Sequence, residues 1–206
     1  MKALLLVDIQ RDFLPGGALA VNEGDKIIPI VNRLTKQDFD LIIASKDWHP
    51  PNHGSFADTH GREIGDYIQL DEIDQILWPV HCVEDTEGSM FAEELDTSAV
   101  DKIFYKGIQV NIDSYSTFFD NEHKRSTGLD HYLKEKGIRK IYIAGLATDY
   151  CVKYSVLDAV KLGYDVYVIR DACRAVNLNR NDEEKAIKEM RERGAKIIES
   201  KELLGS

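Results

Sequence analysis

The chain has 206 residues and a formal net charge of −10, enough length to bury a core without disulfide or metal staples, and one domain over 1–206 is expected. The acidic balance argues against nucleic acid and anionic membrane as partners, because both are held by clustered Lys and Arg. No stretch approaches the roughly 18–20 apolar residues of a membrane span, the apolar Met1 to Val7 is short for a signal peptide, and Cys82, Cys151 and Cys173 are too few and odd for a disulfide framework, so a cytoplasmic protein with free thiols is expected.

In chain order, Ala3 to Val7 is a continuous apolar run ending in Asp8, and Leu41 to Ala44 is a second ending near Asp47. Lys102 to Lys106, Ile141 to Ala144, Val166 to Ile169 and Ala195 to Ile198 follow. Short unalternating apolar runs read as strands covered on both faces. Between them lie helical stripes: Ile27, Ile28, Ile30, Val31 and Leu34; then Leu129, Tyr132 and Leu133; then Val152, Val156, Leu157, Val160 and Leu162; then Ala186, Ile187 and Met190. Gly137, Gly163 and Gly194 stop the last three. Alternating strand and helix predicts an α/β fold with a six-stranded parallel sheet and helices on both faces.

Residues 47–100 break the rhythm and hold four of the six histidines and both tryptophans. A long irregular tract with that content predicts a functional loop. Ligands of parallel sheets bind beyond the carboxyl ends of the strands, and Asp8, Asp47, Lys106 and the segment after Ala144 all fall there.

Gly145 to Val152 is a strand-to-helix junction in which Thr148 or Asp149 could cap the helix and place Cys151 in its first turn. Free N–H groups at such a turn favour a thiolate and can hold an oxyanion. The other reading of Cys151 is a small buried hydrophobe. A thiol nucleophile needs a base and a charge stabiliser. Asp8 suits the first role if burial beside Phe13 and Leu14 raises its pKa, and Lys106 the second; taken singly, each reads sooner as a surface charge or structural ion pair, and their joint placement weakens that reading. Asp47-Trp48-His49 and His81 make a carboxylate and two imidazoles, a set with open positions for Zn²⁺, Fe²⁺ or Mn²⁺. His53 and His60 are candidate outer or substitute ligands, and Cys82 and Cys173 read as packing.

The ordered motifs Leu6-Val7-Asp8-Ile9-Gln10, Ser45-Lys46-Asp47-Trp48-His49-Pro50, Trp78-Pro79-Val80-His81-Cys82-Val83, Tyr105-Lys106-Gly107, Asp113-Ser114-Tyr115-Ser116-Thr117-Phe118 and Gly145 to Val152 resemble the nicotinamidases of the isochorismatase-like hydrolase superfamily. The resemblance implies a three-layer α/β/α fold and hydrolysis of nicotinamide to nicotinate and ammonia through a thioester on Cys151, for NAD salvage. It implies Asp8 as proton carrier, Lys106 as its partner, an oxyanion hole at Ala147 and Cys151 after a cis Leu146–Ala147 bond, and a metal, Zn²⁺ foremost, on Asp47, His49 and His81 to hold the pyridine nitrogen. Phe13, Trp78, Tyr115, Leu146 and Ala147 are expected to contact the substrate, which extends to pyrazinamide in many relatives; Tyr115 reads equally as core. A homo-oligomer is compatible with this pattern. Val80 stands where the family often has Asp, which removes a possible hydrogen-bond acceptor for His81. The competing readings are an amidase of ureido or N-carbamoyl compounds, which has no use for the metal set, and a non-catalytic metal or pyridine binder.

Overall fold

Five consecutive apolar residues form the central strand because both of its faces are covered. In the computed structural model, which describes residues 1–205, β1 (Lys2–Val7) sends Ala3, Leu5 and Val7 into one core layer and Leu4 and Leu6 into the other. Ser206, the last residue of the expected domain, lies outside the described residues. The chain continues through α1 (Ile28–Leu34), β2 (Leu41–Asp47), a short α2 (Ala57–His60), a hairpin of β3 (Tyr67–Leu70) and β4 (Ile73–Ile76), and β5 (Lys102–Lys106). It then forms α3 (Leu129–Glu135), β6 (Lys140–Leu146), a π-helical turn (Thr148–Val152), α4 (Lys153–Lys161), β7 (Asp165–Arg174), α5 (Asp182–Glu192), β8 (Lys196–Ile198) and α6 (Lys201–Leu204).

Six strands make one parallel sheet in the order β5-β2-β1-β6-β7-β8. Helices α3, α4 and α5 bury Leu133, Val156 and Ile187 on one face, and α1 buries Ile28, Val31 and Leu34 on the other. This is the expected three-layer α/β/α arrangement. Each such side chain contributes about 1.5–3 kcal/mol by leaving water. No helix among the described residues is long and apolar enough to cross a membrane.

The topology locates the site. From β1 the chain winds outward to β2 and β5, then returns to start again at β6 on the other side of β1. The reversal leaves a crevice above the carboxyl ends of β1 and β6, where Val7 pairs with Gly145. Asp8 follows β1 and Ala147 follows β6, so both stand at the crevice. Asp47 and Lys106 pair side by side at the ends of β2 and β5.

The tract after β2 is more ordered than its composition suggests. Besides the β3–β4 hairpin, isolated bridges join His49 to Val83 and Phe56 to Trp78. Those pairings fold the tract back on itself and carry His81 and Trp78 to the crevice.

Candidate active site

Asp8 leaves β1 in the left-handed region, at φ 47°, a conformation that costs a non-glycine residue about 1–2 kcal/mol. The turn sends its carboxylate under the crevice, where it is wholly buried. Oδ1 accepts a hydrogen bond from Ser45 Oγ at 2.6 Å, and Oδ2 lies 2.9 Å from Lys106 Nζ. Burial raises the pKa of Asp8 to about 6, against the pull of Lys106 and with a further push from Asp47.

Lys106 is the hub. Its ammonium donates to an Asp47 carboxylate oxygen, to Ser114 O at 2.9 Å, and lies 3.4 Å from Cys151 Sγ. Burial alone would strip its proton, but Asp47 and Asp8 outweigh that and hold the pKa well above the usual lysine range. Asp47 is held far below the carboxylate range despite its burial, chiefly by Lys106 and then by His49.

Cys151 is buried, with its sulfur and carboxylate oxygens of Asp8 and Asp47 all within 4.8 Å of one another. Two expectations about this cysteine need correction. The helix start was expected to favour a thiolate; instead burial pushes the thiol well above its ordinary pKa, and Lys106 only partly opposes this. The resting group is therefore a thiol that needs a base. Nor do Thr148 or Asp149 cap the helix, because the turn is π-helical and carries no side-chain cap. Asp149 reaches the loop after β7 instead, accepting from the N–H groups of Val176 at 2.9 Å and Asn177 at 2.8 Å.

The Leu146–Ala147 peptide is cis, as expected. Ala147 O accepts the N–H groups of Tyr150 and Val152. Ala147 and Cys151 both line the cleft described below.

The three expected metal ligands also meet. One donor atom each from Asp47, His49 and His81 lies within 4.8 Å of the others, and all three residues are buried. His49 Nδ1 is 2.9 Å from Gly107 O, and His81 Nδ1 is 2.7 Å from Pro79 O. Backbone carbonyls only accept, so both Nδ1 atoms carry hydrogen, and in the neutral imidazole each Nε2 atom holds the lone pair. Those atoms lie 3.7 and 4.0 Å from Asp47 Oδ2. Two imidazole lone pairs and a carboxylate converging in a buried space fit a divalent cation. Burial lowers His81 to about 4 and keeps it neutral, while Asp47 overcomes burial at His49 and raises it. Val80 is exposed, and Pro79 O supplies the acceptor for His81.

A cleft opens above these groups, with Phe13, Asp47, Trp78, His81, Tyr115, Ala147 and Cys151 in its walls. Tyr115 is more than core, since its hydroxyl accepts from Trp78 Nε1 at 3.1 Å and Gln75 Nε2 at 3.0 Å. Leu146 is a correction. Its side chain is fully buried in the α1-side core, and the cleft wall takes Ala147 instead. His53 binds Ser55 Oγ and Ile112 O, and His60 binds Gly54 O.

Sequence reasoning gave no role to Gln10, Ser45, Leu19, Tyr150 or Val176. The last three line the cleft. Gln10 is wholly buried; its carbonyl accepts from Asp47 N at 2.8 Å, and its amide donates to Asp47 O and Ser89 O. A glutamine two residues beyond a strand-end aspartate was the one signal available for it.

The class that this fold and crevice describe is an α/β hydrolase with a buried thiol at the head of a helix. Residues 2–202 match the isochorismatase domain, and the chain belongs to that family. The nicotinamidase of Escherichia coli is 48% identical over 199 residues, spanning 95% of this chain and 93% of that protein. Among solved structures, a nicotinamidase-pyrazinamidase of Acinetobacter baumanii superposes with a TM-score of 0.95 at 44% identity, covering 98% of each chain. A pyrazinamidase of Pyrococcus horikoshii in complex with zinc gives 0.78 at 41% identity, covering 96% of this chain and 98% of that one.

Proposed function

We propose that the chain hydrolyses nicotinamide to nicotinate and ammonia, in service of NAD salvage, with Cys151 as nucleophile and Asp8 as proton carrier. The carrying observation is that Asp8 and Lys106 meet Cys151 beneath a cleft whose walls hold Cys151, Asp47 and His81, with His49 within reach of the last two. The chain is an amide hydrolase by family and by its 48% identity to a nicotinamidase.

With a pKa of about 6, Asp8 is ionised at neutral pH yet basic enough to share a proton. It takes the proton of the Cys151 thiol as sulfur attacks the carboxamide carbon. The N–H groups of Ala147 and Cys151 face the resulting oxyanion, each such donor being worth about 3–4 kcal/mol in barrier lowering. Asp8 returns the proton to the amide nitrogen, the C–N bond breaks, and ammonia leaves. Water then cleaves the thioester with Asp8 again as base. Lys106 keeps Asp8 in place and offsets the negative charge of two buried carboxylates and the sulfur.

Asp47, His49 and His81 would hold a divalent cation, Zn²⁺ by preference, with Fe²⁺ or Mn²⁺ as alternatives. Such an ion supplies a Lewis-acid anchor for a pyridine nitrogen. Phe13, Trp78 and Tyr115 then fix the ring plane and aim the carboxamide at Cys151. Pyrazinamide, with the same ring geometry and carboxamide, is a second substrate on this reading. We place the enzyme in the cytoplasm and take residues 1–206 as one domain.

The test is ammonia release from nicotinamide by purified protein, with Cys151→Ala inactive. Turnover of other small amides with nicotinamide untouched would refute the substrate while leaving the family intact.

A further inference from the structure

A second cavity lies behind Lys106. It has a volume of ≈ 100 Å³ and shares no lining residue with the substrate cleft. Lys106, Ser114 and Asp120 line it, and Arg125 and Ser126 stand exposed at its mouth. Lys106 belongs to the wall between cavity and cleft. Lys106 Nζ reaches through it to Cys151 and Asp47, both in the cleft, and Ser114, whose carbonyl holds that ammonium, follows Asp113 of the cleft wall.

Asp120 is the second observation. Its residue is 7% exposed, and Oδ1 accepts the N–H of Lys124 at 2.8 Å. Oδ2 is buried and has no partner among the described residues. A buried carboxylate oxygen without a donor is costly unless something binds it.

The geometry points to this cavity as the exit site for the ammonium product, with Asp120 as its anionic receiver. The inference rests on the hydrolase reading above. When the C–N bond breaks, the acyl group still occupies the cleft between Phe13, Trp78 and Tyr115. Ammonia is released on the inner side, next to Asp8 and Lys106. Trapped there it would attack the thioester and regenerate the amide. A separate way out past Lys106 lets water reach the thioester first. Atoms balance without a further reactant: amide plus water gives carboxylate plus ammonium, the last proton coming from the carboxylic acid formed.

The test uses the full chain and Asp120→Asn, which keeps the Oδ1 acceptor for Lys124. Initial rates of nicotinate formation are measured with added ammonium chloride against tetramethylammonium chloride at equal ionic strength. Ammonium should inhibit the native chain without competing with nicotinamide, and tetramethylammonium should not. Sensitivity to ammonium should fall about ten-fold or more in Asp120→Asn, the loss expected for one charge-assisted hydrogen bond. Ser126→Trp, narrowing the mouth, should raise incorporation of ¹⁵N-ammonium into nicotinamide relative to hydrolysis. Native rates indifferent to ammonium, or equal sensitivity in native and Asp120→Asn chains, overturn the inference. Absence of any nicotinate would instead overturn the hydrolase reading, since the same assay reads turnover.

Discussion

Gly107→Ala should weaken metal binding although Gly107 touches no metal. Gly107 sits at φ +66°, a conformation costing alanine about 1–2 kcal/mol. A Cβ there would stand 2.5 Å from His49 Nδ1 and closer still to Cε1. That is about 1 Å inside an ordinary contact of roughly 3.5–4 Å. The ring must move, and with it goes the 2.9 Å hydrogen bond from Nδ1 to Gly107 O that aims Nε2 at Asp47. Loss of such an orienting bond typically lowers metal affinity about 10–100-fold, or about 1.4–2.7 kcal/mol. Competitive titration of Zn²⁺ against a chromophoric chelator reads this directly, with circular dichroism checking the fold. Gly107→Asn separates the causes: asparagine tolerates positive φ but brings the same Cβ, so it should lose comparable affinity. Native affinity in a folded Gly107→Ala chain would refute the account of His49.

Asp8 must be ionised to accept the thiol proton, so kcat/KM should fall on the acid side with an apparent pKa near 6, Asp8 being raised to about 6. Ser45→Ala removes a hydrogen bond that favours the carboxylate, so this limb should move to higher pH; a shift to lower pH contradicts the assignment. Iodoacetamide should modify Cys151 first, because it opens to the cleft at 6% exposure while Cys82 and Cys173 are at 0%, and mapping of the labelled peptide decides it. Gln10→Leu strips the partners from the main-chain N–H and C=O of Asp47, each loss costing about 1–3 kcal/mol, so thermal stability and Zn²⁺ affinity should fall together. Exhaustive chelation should abolish turnover and a divalent cation restore it; full activity at verified zero metal content would exclude the role given to Asp47, His49 and His81.

The apolar runs at Ala3 to Val7 and Ile141 to Ala144 determined a buried parallel sheet from the sequence alone, because a strand covered on both faces cannot afford polar positions. Punctuation did the same for chemistry: Asp8, Asp47 and Lys106 each end such a run, and a parallel sheet delivers all its carboxyl ends to one side. The tertiary structure alone decided which contacts those groups make. The Cys151 thiol is raised because burial, invisible in local spacing, outweighs the pull of Lys106. Asp149 looks like a cap in sequence, yet it spends its carboxylate on Val176 and Asn177, which lie 27 and 28 residues away. Leu146 belongs to the core and Gln10 to the support of Asp47, because side-chain direction and long-range partners arise only when the segments are packed.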